Sequence, residues 1–74
     1  SKSDERIQVF SSSYSLSPRE QEVLRLLGRG LNTAAMAEEL GISPHTVRDH
    51  LKHLYRKTDT KGRNELLGLI SRDT

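Results

Sequence analysis

The chain has 74 residues, of which 32% are hydrophobic and 4% aromatic. That supply supports one small domain with a marginal core, and excludes a sheet sandwich or a second domain. There is no cysteine, so a disulfide framework and a cysteine-ligated zinc are both excluded, as fits a reducing cytoplasm. The net charge of +2 is unevenly spread. Arg48, Lys52, Arg56, Lys57, Lys61 and Arg63 stand against Asp49 and Asp59 in residues 45–63, whereas the flanking segments are slightly acidic. Such a local excess is the footprint of a nucleic-acid contact, or else a solvated basic face. No apolar run reaches membrane-spanning length, and the N-terminus has no secretory pattern. Ser1 stands in place of a methionine, which raises the expectation of a fragment cut near a domain boundary.

Residues 1–15 are polar, with Ser11, Ser12 and Ser13 in a row, and are expected to be linker or the end of an upstream region. Ile7, Val9 and Phe10 are the exceptions, as the end of an upstream helix or a weak docking patch. The domain proper is expected over 16–74. Its first helix should run over about 18–29: Ser17 can cap it, Pro18 suits the first position, and Glu20 completes a capping box. Val23, Leu24 and Leu27 recur at helical spacing, and Gly28 and Gly30 close the element. A second helix is expected over about 33–40, capped by Asn32, stapled by Leu31 and Met36, and stopped by Gly41. A third, over about 44–57, repeats the pattern with Ser43, Pro44 and the pair Ile42 and Val47. Its buried stripe is Val47, Leu51, Leu54 and Tyr55. Gly62 then precedes a fourth helix rich in Leu66, Leu67, Leu69 and Ile70. The expected fold is all-α, with four helices and no strand.

The second and third of these helices are joined by a very short turn. Ala37 is small enough to let them approach, Gly41 permits a left-handed backbone, and Val47 locks one helix on the other. This is a helix-turn-helix. On the opposite side of the third helix, His45, Arg48, Asp49, Lys52 and Arg56 recur every three or four residues and so share one face. A helix presenting Arg and Lys in this way fits a major groove, where both donate to guanine O6 and N7. Asp49 could accept from a cytosine amino group, or hold Arg48 or Lys52 by an ion pair.

The blocks "LSPREQEVLRLLGRGL", "MAEELGISPHTVRDHLKHLYRK" and "GRNELL" together resemble the C-terminal effector domain of bacterial LuxR-type transcription regulators, over about residues 16–72. The resemblance implies a four-helix domain that binds double-stranded DNA as the output of a transcription regulator such as a response regulator. It implies no enzyme activity and no cofactor. Arg48, Asp49 and Lys52 match positions that face bases. Ser43, Thr46, His53 and Arg56 lie where the family approaches the DNA backbone, and His45 is assigned there with them. The family pairs as a homodimer through the helix matching 63–72, with Leu66, Leu69 and Ile70 as the expected contacts, and contact with RNA polymerase is a further implied partnership. Leu67 with Ile70 and Leu66 with Leu69 form two stripes about 100° apart, one of which should be exposed. Ala34 departs from the family's frequent phosphate-meeting lysine. Thr58 departs from a common leucine, which should lose apolar burial and loosen the junction to the fourth helix, and Thr58 and Thr60 are expected to bond locally to the backbone instead.

Four other readings are weaker on the residues. His50 and His53 could supply two metal ligands, but no cysteine or carboxylate pair completes a set, and His50 suits a half-buried packing position. Glu20/Glu22 and Glu38/Glu39 look like helix-surface carboxylates without a pocket, which gives catalysis no site. Sigma-factor region four shares the helix-turn-helix but usually ends with the recognition helix. A protein-interaction module built on the apolar fourth helix would have no need of the basic face.

Overall fold

The computed structural model describes residues 2–72, so Ser1 and Asp73–Thr74, at the ends of the two expected segments, lie outside the described residues. Five helices form in chain order: α1 (Lys2–Tyr14), α2 (Pro18–Gly28), α3 (Thr33–Leu40), α4 (Pro44–Thr58) and α5 (Arg63–Arg72). The last four stand where the periodicity put them, with ends shifted by a residue at most. The expected count of four is corrected to five, because residues 2–14, expected as linker or the end of an upstream region, form a helix.

The reason is burial. Ile7, Phe10, Ser11 and Tyr14 fall at helical spacing, and this face closes on the core. Phe10 is 1% exposed and Ser11 is buried with it. The Phe10 and Tyr14 rings stack obliquely with centroids 4.6 Å apart. Fully burying a side chain as large as Phe10 contributes about 1.5–3 kcal/mol, enough to order a segment whose serines favour helix only weakly. Val9 points away and is 62% exposed.

α2 is the spine. Val23, Leu24 and Leu27 are fully buried, and they meet α1 on one side and α3 and α4 on the other. Met36, Val47, Leu54 and Leu66 complete the core from the remaining helices. The N-terminal caps are those the sequence implies. Ser17 Oγ accepts from Glu20 N at 3.2 Å while Glu20 Oε1 accepts from Ser17 N at 2.8 Å. Asn32 Oδ1 accepts from Ala35 N, and Ser43 Oγ from Thr46 N.

The C-terminal ends share one device. α1, α2, α3 and α4 each stop at a residue in the left-handed conformation: Ser15 (φ 55°), Gly30 (88°), Gly41 (67°) and Asp59 (53°). In each case the next amide reaches back five residues to a carbonyl, as in Leu16 N to Ser11 O at 3.0 Å and Ile42 N to Ala37 O at 3.0 Å. These are Schellman turns, which satisfy carbonyls left over at a helix end. Two of the four are made without glycine.

Candidate nucleic-acid interface

The turn between α3 and α4 sets the interface. Ala37 is 4% exposed and Val47 is fully buried, so the two helices close on each other across Gly41. Open space surrounds the Gly41 Cα. Its positive φ, and not crowding, is what favours glycine there.

Val47, Leu51, Leu54 and Thr58 form the buried face of α4. His45, Arg48, Lys52 and Arg56 lie on the opposite side and are exposed, with Asp49 half-exposed among them. Arg48, Lys52 and Arg56 make no ion pair or side-chain hydrogen bond among the described residues. Asp49 is not held by Arg48 or Lys52. Its Oδ2 lies 3.6 Å from His45 Nε2, one helical turn earlier. Ser43 and Thr46 share a hydroxyl contact of 2.9 Å at the start of α4, beside the stripe, and His53 is exposed on its edge. His50 is half-buried, as a packing residue would be. Ala34 is exposed and carries no charge. No three His, Asp or Glu side chains are grouped to hold a metal ion among the described residues.

Two members of the basic stretch are diverted from this face. Lys57 Nζ donates to Glu20 Oε1 at 2.7 Å and to Ser15 O at 3.1 Å. The Arg63 guanidinium donates to the Leu31 carbonyl. The cationic surface is therefore narrower than the sequence suggests. Glu20, expected on a helix surface, is 4% exposed. Burial pushes its carboxyl up, but hydrogen bonds from Lys57 and Ser17, with the Lys57 charge, prevail and hold it below its ordinary range. Sequence reasoning had the capping role of Glu20 but no signal for Lys57, a partner 37 positions away. Thr58 makes the local backbone bond expected of it, its hydroxyl donating to Leu54 O at 2.8 Å, but it stays buried in the leucine's place and also lies 2.9 Å from Thr60 Oγ1.

α5 corrects one expectation. Leu66 is fully buried and cannot line a dimer surface, because its side chain fills the core between the helices. Leu67, Leu69 and Ile70 are half-buried around it. At about 100° per residue, Leu67 and Ile70 fall to one flank of Leu66 and Leu69 to the other.

The model of the bacterial regulatory proteins of the luxR family matches residues 14–70. The chain belongs to the LuxR family. Among its relatives, an HTH-type transcriptional regulator of Aeromonas salmonicida is 48% identical over 55 residues, which cover 74% of this chain and 28% of that protein. The transcriptional regulatory protein DesR of Bacillus subtilis is 37% identical over 59 residues, or 80% of this chain and 30% of DesR. The nitrate/nitrite response regulator protein NarL of Escherichia coli is 40% identical over 50 residues, or 68% and 23%. This LuxR-family chain thus spans less than a third of the length of these relatives. No solved structure matches it significantly. The family is one of helix-turn-helix transcription regulators, not of enzymes, and DNA binding in transcription regulation is the role its relatives support. No helix among the described residues is long and apolar enough to cross a membrane.

Proposed function

We propose that this LuxR-family domain reads duplex DNA sequence-specifically, as the output part of a bacterial transcription regulator, with α4 in the major groove. The observation that carries the proposal is the unpaired stripe of Arg48, Lys52 and Arg56, raised on a helix whose other face is clamped by the α3–α4 turn. Arg48 and Lys52 face base edges and donate to guanine O6 and N7. Asp49, held near His45, accepts from a cytosine amino group and repels phosphate, which penalises unspecific binding. Ser43, His45, Thr46, His53 and Arg56 contact the DNA backbone and set the register. Two copies occupy paired half-sites and meet through α5. With Leu66 in the core and Ile70 on the opposite flank, that contact centres on Leu69.

Selection of bound duplexes from a random pool gives the site, and substitution then tests the roles. Arg48→Ala and Lys52→Ala should each cost about 1–3 kcal/mol on the selected site and relax its preference, with little loss on random DNA. Equal losses on both DNAs would assign these side chains to phosphates. Asp49→Ala should change which bases are selected; an unchanged selection would remove Asp49 from the groove.

A further inference from the structure

The DNA stripe leaves the other side of the molecule unused. There α1, α2 and α5 enclose an open groove of about 390 Å³, to which neither α3 nor α4 contributes a lining residue. Ile7, Leu67 and Ile70 give it an apolar floor, over the fully buried Leu24. Arg6, Arg25 and Arg29 stand on its rim. Arg25 is engaged by Asp4 at 3.3 Å, and Asp4 is the carboxylate of the lining. Arg6 and Arg29 are exposed and have no ion-pair or side-chain hydrogen-bond partner among the described residues. The wall supplied by α1 precedes the family match, which begins at residue 14.

We propose that this groove docks an acidic amphipathic helix of another protein. Its apolar side chains, three or four residues apart, sit on Ile7, Leu67 and Ile70, and its carboxylates meet Arg6 and Arg29. The volume accommodates a pair of large aliphatic side chains. The charge selects the occupant. A second copy would bring a second Arg6 and Arg29 into the same contact and double its excess of positive charge, and nucleic acid would find no use for the apolar floor. Because the groove and the α4 stripe share no residue, the partner can bind while DNA is held.

The test is a selection of random displayed peptides of about 16 residues on the immobilised 74-residue chain. The enriched peptides are then measured against wild type and the Arg6→Glu/Arg29→Glu double variant. Both substitutions are at exposed positions, and circular dichroism checks that the variant folds. Enriched peptides should be acidic with apolar pairs three or four apart, and should bind the double variant about tenfold more weakly. Their amide shift changes should fall on α1, α2 and α5 and spare α4, with or without DNA. No enrichment, enriched peptides without carboxylates, equal affinity for the double variant, or shifts centred on α4 would each overturn the proposal. Concentration-dependent shifts at Ile7 and Leu67 without peptide would give the groove to a second copy, and would overturn it too. DNA binding is read separately, so failure here leaves the α4 assignment standing.

Discussion

The two sides of α2 are held by different kinds of interaction. On the α3–α4 side each helix start has a local cap, the turn has glycine where the backbone is left-handed, and the buried residues repeat without a gap. On the α1–α5 side α1 ends on Ser15 in the same left-handed conformation without glycine, and α5 places one residue, Leu66, fully in the core. The first side is specified by neighbours along the chain. The second depends on partners far away in sequence, as with Phe10 in the core and Arg63 on Leu31 O. The difference suits the two surfaces: a rigid turn aims the α4 stripe, while the α1–α5 side leaves a groove open.

The comparison breaks most visibly at Phe10. If α1 is an integral part of the core, Phe10→Ala should destabilise the domain by about 3–5 kcal/mol, enough to unfold much of a small protein. If α1 is only an appended tail, the melting temperature will not move. Thermal denaturation followed by circular dichroism decides between these.

The left-handed turns at Gly41 and Ser15 make a sharper pair. Gly41→Val should cost more than about 1 kcal/mol, because a β-branched residue resists positive φ. Ser15→Gly should instead stabilise by up to about 1 kcal/mol, since serine now carries that strain. Urea titration of both variants measures the contrast. Effects of one sign would mean that the turns are not equivalent.

Glu20 ties the α2 start to the end of α4, and its replacement tests that joint. Glu20→Gln should cost about 1–2 kcal/mol at neutral pH, kept modest because Lys57 is partly solvated. The folded carboxyl lies below its ordinary value of 4.5. Its stabilisation is therefore present above that value and is lost as pH falls through the folded one. The gap between wild type and variant should close as pH drops below 4.5. A constant gap would show that the charge on Glu20 contributes nothing.

The smallest expected effect on stability is at Leu69. Leu69→Glu should cost monomer stability about 0.5–1 kcal/mol, because the half-buried leucine gives up only part of its contact with the core. It should also remove the advantage of paired half-sites over single ones while single-site binding survives. Retained cooperativity in gel-shift titrations would move the dimer contact off α5. Leu66→Glu cannot serve for this test, because a charge in that buried position would unfold the domain.

Much of this was legible in the residues. Ser17, Asn32 and Ser43 followed by their helical stripes gave three of the helices, and the face shared by Arg48, Lys52 and Arg56 followed from their spacing. α1 was only partly legible: Ile7, Val9 and Phe10 raised a helix end or a docking patch, but the exposed Val9, a serine run and the lack of a glycine stop hid its length and its place in the core. Leu66 and Leu69 were indistinguishable in sequence, since both lie on apolar stripes of one short helix and only its packed orientation separates them.

The sequence by itself determined the caps, the α3–α4 turn and the polar face of α4, because these rest on contacts within four or five residues, where spacing dictates geometry. Only the tertiary structure decided that α1 joins the core, that Lys57 and Arg63 leave the basic surface for Glu20 and the Leu31 carbonyl, and that Leu66 lies inside. Each of these depends on which distant groups meet when the helices pack, and that is set by the burial of the whole core, not by any local run of residues.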